Sequence, residues 1–330
     1  MTVRRAAARA LANVALVKYF GKRDLALNLP AAGSLSIALE PLETITSIDF
    51  DDQIDRDAVT LGGSPADAAF TARVTAFLDL VRALAGCTTP ARVATQNAFP
   101  TGAGLASSAS GFAALALAAT RALGLDLDGP ALSTLARRGS GSAARSIPGG
   151  FAVWNAGTRA DGADSFAREI AGPRDLELRI VVGVTDPGPK ALGSTAAMER
   201  TRATSPYYAG WIDAARGDLV DAIAAVEARD LERLGEIAER SALAMHGAAL
   251  AARPGIAFWN GATIDALHCV RALRTQGRLA FFTCDAGPQP KALCAPADEE
   301  AVAAAFAELP GMRAVIRCRP GAGAATIPCP

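Results

Sequence analysis

Histidine is scarce in this sequence, and cysteine never occurs in a close pair. Only two histidines, His246 and His268, are present in 330 residues, and none of the six cysteines forms a Cys-X-X-Cys motif. Because zinc sites draw on several such ligands at close spacing, no zinc site is expected. Scattered thiols are typical of a reducing compartment, so we expect a cytoplasmic protein. We interpret His246 as a core or interface residue.

Charge excess and long apolar runs are absent as well. Lys+Arg and Asp+Glu are balanced at 33 each, and no polybasic run occurs. Neither nucleic acid nor a membrane surface is therefore an expected partner. No uncharged apolar run reaches the roughly 18 residues of a membrane span. The N-terminal segment has arginines followed by apolar residues, but Asn13 and Lys18 interrupt it, so we interpret it as a β-strand rather than a signal peptide.

The sequence does contain enough apolar material for a large core. Hydrophobic residues make up 51% of the chain, and the length suits two modest domains or one large one. Strand and helix patterns mix without the regular alternation of a parallel-sheet protein, which indicates the α+β class. The pattern changes near Pro173, so we predict domains at residues 1–174 and 175–330. The main predicted strands after the first are 35–40, 44–50, 91–99, 149–157, 177–185, 279–287 and 312–318; the helices are 64–86, a segment ending at about 123, 129–139, 194–203, 206–227, 229–251, 260–276 and 297–308.

A glycine- and serine-rich turn precedes the most apolar helix. The segment FPTGAGLASSASGFAALALAA covers residues 99–119. The free N–H groups and dipole of a helix start favour an anion, and Gly102 and Gly104 would let a phosphate approach the backbone closely. Ser107 and Ser108 can add hydroxyl donors or a Mg²⁺ ligand. The segment is neither a Walker A loop nor a dinucleotide motif, so phosphate binding and tight packing of small residues are equally open.

Two further segments carry cations beside glycine turns. In NVALVKYFGKRD (13–24), strand alternation places Lys18 among apolar neighbours, and Lys22 follows a glycine. This is either a cationic cluster for a polyanionic substrate or an edge strand with solvated lysines. In RRGSGSAARSIPGG (137–150), Arg145 could clamp a carboxylate or phosphate, although a flexible surface loop is the simpler interpretation.

Two segments in the second half carry an acid and hydroxyls. In FFTCDAGPQP (281–290), Asp285 follows an apolar strand and precedes a turn, a frequent position for a catalytic carboxylate but also for an Asx-turn. In KALGSTAAMERTRATSPYY (190–208), Ser194 and Thr195 stand at a helix start with Glu199 behind them. Helix capping is the expected role of that group, whether or not the hydroxyls also contact substrate.

Taken in order, these segments resemble the mevalonate diphosphate decarboxylase family of the GHMP kinase superfamily. The resemblance rests on NVALVKYFGKRDLALNLPAAGSLSIAL, FPTGAGLASSASGFAALA, RRGSGSAARSIPGGF, GSTAAMERTRATSP and CDAGPQP, which span residues 13–290. It implies a ribosomal-S5-like N-terminal half, a GHMP C-terminal half and an active site in the cleft between them. The implied reaction converts mevalonate 5-diphosphate and ATP, with Mg²⁺, into isopentenyl diphosphate, ADP, phosphate and CO₂. A homodimer is implied too.

The resemblance also implies a role for each residue of the site. Asp285 would accept or steer the proton of the substrate's 3-hydroxyl, Lys18 would orient Asp285, and Arg145 would hold the C1 carboxylate. The implied substrate-binding residues are Asn13, Tyr19, Phe20, Gly21, Lys22, Arg73, Ser140, Gly141, Ser142, Ala143, Ala144, Ser194 and Thr195. The implied ATP-binding residues are Gly102, Ala103, Gly104, Leu105, Ala106, Ser107 and Ser108, with Ser108 also a Mg²⁺ ligand. Ser110 gains no role and is interpreted as a packing residue.

The sequence departs from the family at several positions. Family members often carry Trp where Phe20 stands, TNSSLS or INDSLS where AAGSLS (31–36) stands, and Asn where Gln289 stands. Three alternatives therefore stay open at this point. They are a decarboxylase of mevalonate 5-phosphate, a small-molecule kinase that only phosphorylates the 3-hydroxyl, and a non-catalytic protein on the same fold.

Overall fold

The computed structural model describes residues 4–99, 107–185 and 192–329. Their strands are β1 (Arg5–Val17), β2 (Lys22–Asp24), β3 (Leu29–Pro30), β4 (Ser34–Phe50), β5 (Ala58–Leu61), β6 (Ser64–Pro65), β7 (Ala91–Asn97), β8 (Phe151–Trp154), β9 (Ala167–Ala171), β10 (Arg179–Val184), β11 (Ala280–Cys284), β12 (Pro290–Cys294), β13 (Ala314–Pro320) and β14 (Ala325–Ile327). Their helices are α1 (Ala68–Ala85), α2 (Ser107–Ala122), α3 (Gly129–Gly139), α4 (Ser194–Thr204), α5 (Tyr208–Glu227), α6 (Leu231–Leu250), α7 (Gly261–Thr275) and α8 (Glu299–Ala307), with short 3-10 helices at Gly141–Ser146 and Pro296–Asp298.

Twelve of these strands form one mixed sheet. The order β11-β12-β10-β13-β4-β7-β5-β6 runs through it. Strands β1 and β8 also pair with β4, β14 pairs with β1, and β9 pairs with β8. Within the described chain only β5 and β7 pair in parallel. Because helices and strands are mixed around a largely antiparallel sheet, the predicted α+β class is confirmed.

One long strand replaces two predicted ones. The segments 35–40 and 44–50 both belong to β4. Along β1, Asn13 pairs with Ala38 whereas Leu11 pairs with Glu43, so residues 39–42 leave that ladder. Residues 39 and 40 pair with β13 instead. The bulge in β4 thus joins the strands of the second half to those of the first.

Helix α2 anchors the N-terminal half. Twelve of its residues are buried, and they pack with α1, α3 and the β1–β4 face in one apolar cluster. Small alanines let the helix lie close to the sheet, and fully buried apolar residues supply most of the stability of such a layer. Ser110 is fully buried and lies 2.6 Å from Thr44 Oγ1, which agrees with its interpretation as a packing residue.

Side-chain caps set several helix starts in this fold. Asp67 accepts a hydrogen bond from the Phe70 N–H, so α1 begins at residue 68 and not at 64 as predicted. Ser64 and Pro65 instead form a hairpin strand with β5. Asp128, Asp230 and Asn260 cap α3, α6 and α7 in the same way. No helix of the described segments is sufficiently long and apolar to cross a bilayer.

Candidate active site

A cavity of about 540 Å³ collects most of the predicted site residues. Segments far apart in the sequence meet there: the end of β1, the start of α2, the 141–146 turn, the start of α4 and the loop after β11. The predicted residues that line it are Asn13, Lys18, Tyr19, Lys22, Arg73, Ser108, Ser140, Gly141, Ser142, Arg145, Ser194, Thr195 and Asp285. The predicted residues Gly102, Ala103, Gly104, Leu105 and Ala106 lie outside the described residues.

Asp285 and Lys18 form an ion pair at one end of the cavity. Lys18 follows β1 and is 1% exposed, and its Nζ lies 2.9 Å from Asp285 Oδ1. The same ammonium donates to the Ala15 carbonyl at 2.7 Å. Burial lowers the pKa of Lys18, and the Asp285 carboxylate partly opposes this change. Asp285 keeps 27% of its side chain exposed, so the carboxylate remains accessible from the cavity.

The Asp285 carboxylate is held in its ionised form. Burial disfavours its charge, but the nearby Lys18 and Lys291 ammonium groups and the Arg145 guanidinium outweigh burial and lower the pKa of Asp285 well below its ordinary value. Lys291 Nζ lies 3.3 Å from Oδ2. Lys291 is not among the site residues predicted from the sequence. Its only signal was a lysine inside the apolar strand PKALC.

Arg145 is a buried cation held by neutral groups. Its Nε and Nη2 donate to Asn13 Oδ1 at 3.2 and 3.0 Å. Its Nη1 donates to Ser34 Oγ at 3.1 Å. Asn13 in turn donates to Ser146 Oγ at 2.7 Å. Among the described carboxylates none forms an ion pair with Arg145. Burial lowers the pKa of Arg145 to about 10, so it stays charged at neutral pH.

Tyr19 stands between Arg145 and the serine turn. Its hydroxyl is buried and has no hydrogen-bond partner in the described structure. Its ring packs edge-on against Trp154 at 4.8 Å, and the Arg145 guanidinium lies 5.7 Å from the ring centroid. A side chain at Gly141 would collide with the Tyr19 hydroxyl, which explains a glycine at this close approach. An orphaned buried hydroxyl in a cavity wall is suited to a polar ligand.

A further cation, Lys22, lies near the start of α4. Lys22 Nζ donates to Thr195 Oγ1 at 3.0 Å. Burial lowers the pKa of Lys22, and the Glu199 carboxylate partly opposes this change. Gly193 occupies the N-cap position of α4, and no side-chain cap hydrogen bond forms there. The capping role expected for this segment is therefore corrected: Ser194 and Thr195 line the cavity, and Thr195 accepts from Lys22.

A chain of hydroxyls crosses the floor of the cavity. Ser108 Oγ lies 3.3 Å from Ser140 Oγ, which lies 3.4 Å from Ser142 Oγ. The simpler interpretation of 137–150 as a flexible surface loop is wrong: the 3-10 helix at Gly141–Ser146 has five buried residues. Ser140 ends α3 in extended conformation, so the chain can turn sharply into that 3-10 helix.

Four of the predicted substrate-binding residues are absent from the cavity lining. Phe20 is 1% exposed and packs against Trp211 and Phe258, because alternation after β1 turns it away from Tyr19. Ala143 and Ala144 are fully buried in the core, and Gly21 also lies outside the lining. The predicted contact of Phe20 with substrate is thus corrected to a supporting role in the wall behind the site. The lining residues that the sequence did not reveal are Ala15, Asn28, Gly139, Gly193, Ala196, Met198, Met245 and Ala286.

A smaller pocket of about 220 Å³ adjoins the cavity. Its lining is mainly apolar and includes Phe70, Val74 and Leu115, and the predicted residue Ser107 lines it too. Arg73 and Ser108 line both spaces. A ligand with one apolar flat end and one anionic end could therefore occupy the two together.

His246 lies behind Asp285 in the core. It is 2% exposed, and its Nε2 lies 3.1 Å from Trp259 Nε1 and 3.2 Å from the Cys284 carbonyl oxygen. Burial lowers the pKa of His246 to about 3. The histidine is therefore a neutral core residue next to the backbone that carries Asp285, as the sequence indicated.

We expect His246 to weaken the fold in acid. The folded state keeps His246 neutral until about pH 3, whereas the unfolded chain protonates it near pH 6.5. Between these two values the unfolded state binds more protons, so the free energy of unfolding decreases as the pH is lowered, by up to about 1.4 kcal/mol per pH unit. Denaturant titrations at several pH values between 4 and 6 measure this dependence. The free energy of unfolding should change less with pH in His246→Gln, which keeps an acceptor for Trp259. The exposed His268 provides the control: an equal effect of His268→Gln would contradict this account.

The charges of the cavity define its ligand. Lys18, Lys22, Arg73 and Arg145 line it, and Asp285 is the single carboxylate that the described lining contains. Donors outnumber acceptors, so the cavity suits a polyanion with several acceptor oxygens. The ionised Asp285 can accept a proton or a hydrogen bond from such a ligand.

Two family models cover most of the chain. Residues 10–167 match the diphosphomevalonate decarboxylase-like N-terminal domain, and residues 180–316 match the mevalonate 5-diphosphate decarboxylase C-terminal domain. The diphosphomevalonate decarboxylase of Aspergillus fumigatus is 36% identical over 321 residues, which cover 92% of this chain and 80% of that protein.

Solved structures give the same result. The mevalonate diphosphate decarboxylase of Staphylococcus aureus superposes with a TM-score of 0.93 at 35% identity, over 98% of both chains. A complex described as MDDEF with MVAPP, AMPPCP and magnesium superposes with a TM-score of 0.91 at 40% identity, again over 98% of both chains. The expected GHMP kinase fold is thereby confirmed. This chain belongs to the diphosphomevalonate decarboxylase family.

Proposed function

We propose that this protein catalyses the ATP-dependent decarboxylation of mevalonate 5-diphosphate to isopentenyl diphosphate, ADP, phosphate and CO₂. One observation carries the proposal. A single cavity holds an ionised, accessible Asp285 paired with Lys18, together with a buried Arg145 that has no carboxylate partner among the described residues. A substrate with a hydroxyl for the acid and a carboxylate for the arginine satisfies both groups.

The first step transfers the terminal phosphoryl group of ATP to the 3-hydroxyl of the substrate. A tertiary hydroxyl is a poor leaving group, and phosphorylation converts it into a good one. Asp285 accepts the hydrogen bond of this hydroxyl and takes its proton as the oxygen attacks phosphorus and ADP leaves. Two lysines next to Asp285 disfavour its protonated form, so the carboxylate releases this proton readily.

The second step breaks two bonds and forms a double bond. The C1–C2 bond releases CO₂, its electron pair forms the C2–C3 double bond, and the 3-phosphate leaves. Arg145 binds the C1 carboxylate through the guanidinium edge that Asn13 and Ser34 orient. This contact holds the carboxylate so that C1–C2 aligns with the breaking C3–O bond. Lys18 balances the charge of the departing phosphate.

The remaining polar wall of the cavity binds the diphosphate. The wall contains more hydrogen-bond donors than acceptors. The donors are Lys22, Arg73 and the hydroxyls of Tyr19 and Thr195. Charge-assisted hydrogen bonds from such groups to phosphate oxygens are strong and directional. They supply the binding energy that positions the reacting end of the molecule.

ATP occupies the adjoining pocket and the start of α2. The apolar wall of the smaller pocket suits adenine, and Arg73 and Ser108 connect that pocket to the main cavity. Ser107 and Ser108, at the N-terminus of α2, would bind the ATP phosphates. The phosphate-binding role of Gly102 to Ala106 remains a prediction from the sequence.

The donor set also fits Mg²⁺ that is bound mainly through ATP. No group of three or more His, Cys, Asp or Glu side chains in the described segments could hold a metal ion. Mg²⁺ is commonly bound through substrate phosphates, water and one or two protein oxygens, and the exposed Ser108 hydroxyl is available for this. When bound, the ion screens the charge of the phosphate oxygens.

Three further features complete the proposal. A cytoplasmic location is supported by six cysteines that are all free thiols. A domain boundary near residue 174 is supported by the interval between the two family matches. A homodimer is carried over from the family resemblance, and sedimentation velocity would test it.

An assay of both products tests the proposal. With mevalonate 5-diphosphate labelled at C1, we expect CO₂ and ADP in equal amounts, because phosphorylation and decarboxylation are coupled in one site. With mevalonate 5-phosphate we expect kcat/KM to fall at least about tenfold, because this substrate lacks the second phosphate and leaves the cationic groups that bind it without a partner. ADP without CO₂ would instead identify a 3-kinase, and a preference for the monophosphate would identify the other decarboxylase.

A further inference from the structure

A second buried lysine contacts the carboxylate of Asp285. Lys291 is 2% exposed and lies on β12, where it pairs with Thr283 of β11. Its Nζ lies 3.3 Å from Asp285 Oδ2 and 3.4 Å from the Gln289 carbonyl oxygen. It is absent from the lining of the cavity, so it acts on a ligand only through Asp285.

The two lysines hold different oxygens of the same carboxylate. Lys18 Nζ contacts Oδ1 at 2.9 Å from the end of β1, and Lys291 Nζ contacts Oδ2 from β12. A carboxylate held through one oxygen can still rotate about its Cβ–Cγ bond, whereas one held through both cannot. Each oxygen keeps a second lone-pair site that is available to accept a hydrogen bond from a ligand.

The position of Lys291 in the sheet makes this arrangement rigid. Strand β12 lies between β10 and β11, and Val182 of β10 and Thr283 of β11 both pair with Lys291. A lysine on a central strand has little freedom to follow a moving carboxylate. The loop of Asp285 is thereby tied to the hairpin that follows it.

We propose that Lys291 is a positioning residue of the reaction: its ammonium fixes Oδ2 of Asp285 so that the carboxylate presents one orientation to the substrate's 3-hydroxyl. This inference rests on the proposed function for the identity of that hydroxyl. The reason to expect an effect on rate is geometric, because small displacements of a catalytic group cost large factors in turnover.

The test compares Lys291→Met with Lys291→Arg. We expect Lys291→Met to lower kcat roughly tenfold with little change in KM, because the cavity lining is intact. Lys291→Arg should recover most of the loss, since it restores a cation near Oδ2. If Lys291→Met fails to fold, Lys291→Gln, which keeps a donor without the charge, replaces it in both measurements.

A control variant separates positioning from general destabilisation. Arg82 is a buried cation near the end of α1, and it pairs with Asp79 of the same helix and with Asp57, which precedes β5. Arg82→Met should lower the melting temperature without lowering kcat. Wild-type kcat in Lys291→Met, or equal kcat losses in the Arg82 and Lys291 variants, would overturn the proposal.

A spectroscopic measurement is independent of activity. The ¹³C chemical shift of Asp285 Cγ, assigned through Asp285→Asn, should change in Lys291→Met and return toward the wild-type value in Lys291→Arg. An unchanged shift would overturn the proposed contact. If the shift changes in Lys291→Met but the wild-type protein releases no CO₂ from mevalonate 5-diphosphate, the contact is established and the proposed function is refuted.

Discussion

Replacing Asp285 with asparagine is expected to lower the turnover number at least about 100-fold, because the variant loses the group that accepts the proton of the 3-hydroxyl. Asparagine keeps the shape of the side chain and one acceptor oxygen for Lys18. The described lining contains no second carboxylate that could take over the proton. Release of ADP and CO₂ under saturating ATP and mevalonate 5-diphosphate measures the effect.

The same substitution also affects stability, and this must be separated from catalysis. Lys18 and Lys291 are both buried, and each loses its anionic partner. Removal of one partner from a buried ion pair costs about 3–5 kcal/mol. We therefore expect a lower melting temperature together with the loss of turnover.

Asp218 supplies the matched control. It is 5% exposed and accepts two hydrogen bonds from Arg240, at 2.9 and 2.6 Å, away from the cavity. Asp218→Asn should reduce stability while kcat stays close to that of the wild type. If Asp285→Asn retained wild-type turnover, Asp285 would have no part in the proton chemistry.

The elements that the sequence predicted best are those with local signals. The capped amphipathic helices and the apolar strand β10 appear within a few residues of their predicted positions. β4 was misjudged because its continuity depends on β1 and β13, which lie far away in sequence. The sequence predicts a helix start where the hairpin strand β6 lies, because Ser-Pro is also a helix-start signal.

The site was predictable as a set of residues but not as a network. The resemblance led to Asp285, Lys18 and Arg145, and all three line one cavity. Their partners were not accessible from local patterns. Ser34 contacts Arg145 across 111 positions, and Lys291 reaches Asp285 only through the register of a hairpin.

The unusual Gln289 shows how such a departure is accommodated. It is 1% exposed, and its Oε1 accepts from the Thr185 N–H at 2.6 Å. Gln289 therefore joins the loop after Asp285 to the end of β10 and is absent from the cavity lining. This departure from the family pattern therefore concerns a residue that supports the loop and is not part of the cavity lining.

Replacing Arg145 with lysine is expected to lower kcat/KM about 100-fold. A guanidinium can bind a carboxylate through two parallel hydrogen bonds, whereas an ammonium offers a single point charge. A charge-assisted hydrogen bond contributes about 1.5–3 kcal/mol, and each 1.36 kcal/mol corresponds to a factor of ten. Lysine would also lose the contacts to Asn13 and Ser34 that set the orientation of the cation.

Arg137 offers a control of the same type. It is 1% exposed and donates to the Leu27 and Gly162 carbonyl oxygens at 3.1 and 2.9 Å, and it does not line the cavity. Arg137→Lys should therefore destabilise the protein with little change in kcat/KM. Both arginines have neutral partners, but only Arg145 lines the cavity, so its charge is available to a ligand and the two variants should show opposite patterns. Equal losses of kcat/KM in both would mean that Arg145 acts through stability and not through the substrate carboxylate.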